Sequence, residues 1–208
     1  MYTNNPYAQG GWSNPENSHS INGRPAWNTI SAHPPTFGAL PPIKHQSTLA
    51  LTFEFSSMNP DILDCIVTGP TNNKLFDIRT IQETTRVSKV DNEVFGIIQW
   101  SSHPTVEVLR GVLPQRQTRD FLRLSADRSH RTMIILGKSY VWVPRPDGNY
   151  LYRDGFKPSE PLARIVVYQG NKQGSRIMLD IASDAIQPGL LEPCIMATIL
   201  LSTPRHLD

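Results

Sequence analysis

The stretch LLEPCIMATILL, residues 190–201, bears most directly on the fold. Leu190, Leu191, Cys194, Ile195, Met196, Ala197, Ile199, Leu200 and Leu201 are apolar, and they do not keep to one helical face. As a helix over Gln187–Leu201, with Pro188 at the first helical position, the segment would be buried on all sides. In a β protein, the place that surrounds a helix completely is the inside of a closed barrel. As a strand over Cys194–Leu201, it would be the last and most buried strand of a sheet. Periodicity cannot separate the two for so short an apolar run. About a dozen residues, interrupted by Glu192 and Pro193, cannot cross a bilayer, which takes about 20.

The chain leading up to this segment reads as β. In Thr48–Phe55, Leu49, Leu51, Phe53 and Phe55 alternate, the period of a half-buried strand. Further strands are expected at Ile62–Thr68, Lys74–Thr80, Thr84–Val90, Val94–Trp100, Thr105–Arg110, Arg131–Leu136, Ser139–Val143, Leu162–Tyr168 and Ile177–Ala182. Between them stand turn residues: Gly69 to Asn73, Asp91-Asn92, Ser102-His103-Pro104, Asp147-Gly148-Asn149 and Gly170-Asn171-Lys172. Short strands at regular spacing indicate an all-β sandwich or barrel. Connections this brief exclude the helical crossovers of a parallel sheet, so the fold class is mostly β and antiparallel. Gln115–Leu124 breaks the rhythm and is expected to form a short helix with Thr118 as its N-cap. Tyr150 and Tyr152, after the Asp147-Gly148 turn, are expected to be partly exposed at a hairpin.

Residues 1–46 have a different texture. Of these 46 positions, 21 are Pro, Gly, Asn or Ser, and only Glu16, Arg24 and Lys44 are charged. So few aliphatic residues cannot offset the entropy of ordering the segment. The expectation is a disordered tail over 1–46 and one folded domain over 47–208. Tyr2, Tyr7, Trp12, Trp27 and Phe37 give the tail aromatic groups able to recruit a protein partner.

From Thr48 onward the chain resembles an uncharacterised fungal (basidiomycete-type) family, known only as a domain of unknown function. That family is distantly related to the tubby C-terminal, LURP-one and phospholipid-scramblase barrels. The resemblance is carried by LTFEFSSMNPDILDCIV (51–67), by KLFDIRT, TTRVSKV and VFGIIQW within 74–100, by SYVWVPRPDGNYLYR (139–153) and by PLARIVVYQ (161–169). LLEPCIMATILL is similar to the family's closing hydrophobic helix. The resemblance implies an antiparallel tubby-like β-barrel of roughly twelve strands around a buried C-terminal helix. Pro193 lacks a backbone donor and is tolerated only in a first turn, so such a helix should begin nearer Glu192 than Gln187. The resemblance implies no activity and no catalytic residues.

Composition narrows function mainly by exclusion. Twenty Lys+Arg against 18 Asp+Glu leave a net charge of +2, without the concentrated basic excess of a protein that binds nucleic acid through phosphates. The first residues carry neither a secretory signal nor an Arg-rich transit peptide. No Asn-x-Ser/Thr sequon occurs, and Cys65 and Cys194 are sparse enough to be core thiols in a reducing compartment. An intracellular, cytoplasmic module with no transmembrane segment is expected.

The six histidines, His19, His33, His45, His103, His130 and His206, form no metal-binding pair, and the cysteines lack C-x-x-C spacing. No nucleotide loop or nucleophile elbow occurs, so neither a cofactor nor a metal is expected. A catalytic site would require Cys65 to meet His103 or His130 across the barrel mouth. Trp100 and Trp142 read as core aromatics.

One charge asymmetry stands out. Arg116, Arg119, Arg123, Arg128 and Arg131 face only Asp120 and Asp127 within sixteen residues. The planar guanidinium fork suits phosphate, so these five arginines are the candidate site for an anionic lipid headgroup or a phosphorylated ligand. The competing view is a solvated face whose arginines pair with the two aspartates. A non-enzymatic binding or adaptor module is the expected function, with the tail as a protein-interaction scaffold the alternative and an enzyme the third.

Overall fold

Alternation becomes strand wherever one face can be buried. In the computed structural model, which describes residues 51–155, 161–168, 175–186 and 189–207, the first strand is β1 (Leu51–Ser56), with Phe53 and Phe55 buried on one side. Then come β2 (Cys65–Thr68), β3 (Lys74–Ile81), β4 (Thr84–Lys89), β5 (Val94–Gln99), β6 (Thr105–Val108) and β7 (Leu113–Gln117). A four-residue helix, α1 (Thr118–Phe121), precedes β8 (Arg123–Leu124), β9 (Arg131–Ile135), β10 (Lys138–Arg145), β11 (Gly148–Arg153), β12 (Ala163–Tyr168) and β13 (Arg176–Ile181). The chain ends with α2 (Ser183–Ile186) and α3 (Leu191–Ser202). It divides into two units, residues 1–44 and 45–208, and every described residue belongs to the second. The tail expected over 1–46, its aromatic groups and three of the histidines lie outside the described residues.

The strands form one antiparallel sheet in the order β7-β6-β5-β4-β3-β2-β1-β13-β12-β11-β10-β9-β8. Apart from β7 and β8, strands adjacent in sequence pair with one another, and β1 pairs with β13, Phe53 opposite Leu179. Tight turns set the registers. Between β9 and β10, Leu136 and Gly137 both have positive φ, 48° and 74°, the requirement of a two-residue hairpin whose twist matches its strands. Where the first and last strands meet, Asp180 accepts from Thr52 Oγ1 at 2.7 Å and from Arg164 Nη2 at 2.8 Å. That ties β1, β13 and β12 together on the face opposite the core.

The closed barrel is corrected to an open sheet: β7 and β8 are not paired. Topology supplies the reason. Twelve antiparallel steps separate β7 from β8 in the strand order, so the two run in the same sense. A parallel pair needs a crossover of a dozen or more residues, whereas only α1 and Leu122 lie between them. The helix expected over Gln115–Leu124 shrinks accordingly to Thr118–Phe121, and its flanks are the strands β7 and β8. Phe121 and Leu122 are fully buried in this break. Thr118 is the first helical residue rather than the N-cap, and its hydroxyl donates to the Leu207 carbonyl at 2.7 Å. The C-terminal segment is thereby fastened to the break.

The LLEPCIMATILL segment is a helix. Pro193 is the third residue of α3, in the first turn, where its missing N–H leaves no bond unmade. Every residue from Pro193 to Leu200 is buried. The helix packs on β5 and on β13, five steps apart in the sheet order, so the sheet curls around it. Gly96 of β5 permits the approach: a Cβ there would stand 2.4 Å from Met196 Sδ. The buried hydroxyl of the helix, Thr198 Oγ1, donates to the Cys194 carbonyl at 2.8 Å. Burying each large aliphatic side chain contributes about 1.5–3 kcal/mol, which favours enclosing the helix. The position of Pro188 lies outside the described residues.

Candidate functional site

The five arginines do not form one patch. Cross-strand partners share a face of the sheet, and partner burial therefore sorts them. Arg131 of β9 shares its face with Met133 and Ile135, both buried, and sits opposite Trp142, also buried. It points inward, half-buried, and its Nη1 donates to the Leu122 carbonyl at 2.8 Å. Arg116 of β7 sits opposite buried Val106 and is likewise half-buried, with Nε lacking an acceptor among the described residues. Arg123 lies opposite Thr132 on the outer face and is exposed. Arg119 is exposed on α1, and Arg128 is exposed in the β8–β9 turn with φ of 57°.

That turn, Ser125 to His130, is organised by Asp127. Its carboxylate accepts from Ser125 Oγ at 2.6 Å, Ser129 Oγ at 2.8 Å and the Ser129 amide at 3.1 Å. These bonds, led by the Ser125 hydroxyl, pull its pKa down to about 2. Asp127 thus holds the turn's serines in place of the arginine partners expected of it. Ser129 Oγ also meets His130 Nδ1 at 2.9 Å. Since the Ser129 hydroxyl donates to Asp127, the imidazole Nδ1 is the donor in that contact.

Beneath the turn is a cavity of about 180 Å³. Arg128, His130 and Arg131 line it from the turn and β9, Trp142 from β10, and Asn149 from β11, with Leu124 and Leu201 as apolar neighbours. Among the described residues that line it none is acidic. Trp142 is 1% exposed, and its Nε1–H has no acceptor among the described residues. An indole nitrogen is a donor only, and a buried donor left unmet costs about 1–3 kcal/mol, a noticeable share of a domain stability of about 5–15 kcal/mol.

Two larger grooves show the opposite condition. One of about 570 Å³ runs past Arg145, Asp147, Arg164 and Tyr168. There Arg164 is engaged by Asp180, Asp147 accepts from the Tyr150 hydroxyl, and Arg145 lies over the Tyr150 ring at 5.3 Å. Tyr150 and Tyr152 stand on β11 of the β10–β11 hairpin, stacked and partly exposed as expected. The other groove, about 430 Å³, lies between Trp100, Pro104 and Arg205, with the guanidinium of Arg205 4.8 Å above the Trp100 ring.

The residues that a catalytic site would require lie in separate elements. Cys65 is buried on β2, donates its thiol to the Ile62 carbonyl at 3.3 Å, and is pushed up to about 12 by burial, with Asp64, Asp61 and Asp77 adding to the effect. It stays a thiol at neutral pH, the wrong form for a nucleophile. His103 is exposed beside Ser102 in the β5–β6 connection, and His130 belongs to the Asp127 turn. Cys194, inside α3, is also free and is pushed to about 12 by burial. Among the described residues no group of three or more His, Cys, Asp or Glu side chains could hold a metal ion. No helix among them is long and apolar enough to cross a membrane.

No family model matches the chain, and no curated protein matches it. Among solved structures, the chain is similar to a protein from Arabidopsis thaliana at 10% identity and a TM-score of 0.36, over 70% of this chain and 90% of that one.

Sequence reasoning missed Trp142 and Asn149 as site residues. A signal for the inward arginine was present: Arg131 has the same parity as Met133 and Ile135 in a strand that alternation had already marked. Nothing comparable pointed to Asn149, which reaches the cavity through strand order.

Proposed function

We propose that this chain is a binding module that recognises an anionic group, a lipid headgroup or a phosphorylated ligand, at the β8–β9 turn. One observation carries the reading: Arg119, Arg123 and Arg128 are exposed around the turn, while the turn's own carboxylate, Asp127, is held by serines. Arginine forks bind phosphate oxygens in pairs, and salt screening weakens them where they are exposed. The module reading is non-enzymatic, supported by the protonated state of Cys65. It is intracellular and cytoplasmic, supported by two buried free thiols. A tubby-like arrangement, with the sheet open between β7 and β8, is its proposed fold type, supported by the next-neighbour strand order, the β1–β13 pairing and the enclosed C-terminal helix.

Co-sedimentation of the full chain with vesicles tests it. Binding should require anionic lipid and fall several-fold when Arg119, Arg123 and Arg128 are changed together to Gln. Equal binding by that variant, or equal binding to neutral vesicles, would overturn the reading.

A further inference from the structure

Successive strands run in opposite senses, so their connections alternate between two ends of the sheet. The β3–β4, β5–β6, β8–β9, β10–β11 and β12–β13 connections share one end with α1; the β2–β3, β4–β5, β6–β7, β9–β10 and β11–β12 connections share the other. At the first end are Arg119, Arg123 and Arg128, exposed and without a carboxylate partner among the described residues. Large apolar side chains are exposed there too. Ile81, 69% exposed, ends β3 at its turn into β4. β12 runs on past its last pair with β11, Asn149 with Ile165, and both faces of the projecting end are open. Val167 shares the parity of buried Ala163 and Ile165 yet is 53% exposed, and Tyr168 on the other face is half exposed.

Single exposed apolar residues are ordinary on a soluble protein, and the opposite end has its own, Val90 and Leu136. The two ends differ in charge. At the opposite end Lys74 is paired with Asp77, and Lys89 and Arg110 with Glu93; Lys138, exposed beside the Leu136-Gly137 turn, is not. At the first end the unpaired arginines are consecutive along α1, β8 and the β8–β9 turn, and exposed Glu83 and Asp120 accompany them. We propose that this end of the sheet is the face that meets an anionic bilayer, with Ile81, Val167 and Tyr168 entering the acyl boundary while Arg119, Arg123 and Arg128 hold headgroup phosphates. This rests on the anion-binding reading above and commits its ligand to a lipid source. Charge complementarity favours that source, because an anionic leaflet attracts basic segments and offers the arginines phosphate oxygens. A phosphate in solution offers no apolar surface, whereas a bilayer takes up the exposed side chains as well. Tyrosine suits the boundary, with an apolar ring and a polar hydroxyl. Stable attachment takes two weak signals together, and here they are charge and apolar tips.

Both native thiols are buried and stay protonated at neutral pH, so a thiol-reactive, polarity-sensitive NBD label goes to an introduced cysteine. The full chain is labelled in turn through Ile81→Cys, Tyr168→Cys, Val90→Cys and Leu136→Cys, and mixed with phosphatidylcholine vesicles with and without phosphatidic acid. With the anionic vesicles the label should brighten and shift to the blue at 81 and 168 and stay unchanged at 90 and 136. In co-sedimentation, Ile81→Thr combined with Tyr168→Thr should weaken binding to anionic vesicles about tenfold or more, the scale of large apolar side chains withdrawn from water. Val90→Thr combined with Leu136→Asn should leave binding unchanged, since asparagine accepts the left-handed φ of Leu136. Aqueous emission at 81 and 168 on vesicles that the chain binds, or full binding by the Ile81 and Tyr168 variant, would overturn the insertion and leave the arginine reading standing. An equal blue shift at 90 and 136 would overturn the choice of end. Calorimetric binding of inorganic phosphate or glycerol phosphate without any vesicle binding would overturn the bilayer and keep the anion site. Silence with every vesicle and every phosphate would overturn both.

Discussion

Trp100 and Trp142 sit in the same sheet with almost the same burial, 5% and 1% exposed, yet their surroundings differ. Around Trp100 every polar requirement is met internally. Its N–H leads into the Thr85–Thr80 relay, and Arg205 covers its ring. The C-terminal segment that carries Arg205 is fastened by Thr118 to Leu207. Around Trp142 the indole donor has no acceptor among the described residues, and the polar side chains described at the adjoining cavity are guanidinium, imidazole and carboxamide groups. Hydrogen bonds exchanged within the protein contribute little net stability, but leaving one unmade is costly.

The comparison breaks most sharply at Thr85. Thr85→Val keeps shape but removes the acceptor of Trp100 and the donor to Thr80, so chemical denaturation should show a loss of about 2–3 kcal/mol. Trp142→Phe removes a donor that has no internal partner, so apart from its smaller ring it should cost clearly less. An equal or larger loss at Trp142 would mean that its N–H is satisfied after all. A smaller effect is expected from Thr118→Val, which unfastens the C-terminal segment for about 0.5–1.5 kcal/mol. Amide hydrogen exchange should then rise in residues 203–207 and stay constant in the Asp127 turn. Exchange rising equally in both regions would show that the two ends of the comparison are coupled.

The smallest effect concerns pH at the Trp142 side. The Asp127 carboxyl is depressed to about 2, below the ordinary value of about 3.9. Its contribution is therefore complete above about pH 4 and is lost as pH falls from there toward 2. The Ser129 amide resonance, which reports the bond to Asp127, should move with a midpoint near 2. A midpoint near 4 would show that the serines do not hold the carboxylate.

Much of the sheet was legible because burial on one face writes a period of two into the sequence. β3, β4 and β5 were readable within a residue or two on that ground. β7 was not: Pro114 interrupts it, and Gln115, Arg116 and Gln117 carry no apolar alternation, so the segment read as the start of a helix. β8 is two residues long, too short for any period. β11 was legible only as a partly exposed hairpin arm and not as a strand with bounds, because its single buried side chain, Leu151, stands between the half-buried Tyr150 and Tyr152. The arginine cluster was visible as composition, but its division into inward Arg116 and Arg131 and outward Arg119, Arg123 and Arg128 depended on strand register.

By itself the sequence determined the β class, the antiparallel order of short strands, and an apolar segment at 190–201 without a polar face. Tertiary structure alone decided that this segment is a helix, because local periodicity is silent when every side is apolar and only a surrounding sheet can bury all of them. It also decided where the sheet opens, since twelve reversals bring β7 and β8 into the same sense, and a short link cannot pair parallel strands. The cavity under the Asp127 turn is likewise tertiary. Leu124, the Trp142–Asn149 hairpin and Leu201 are far apart in the chain, and strand order around α3 brings them to one place.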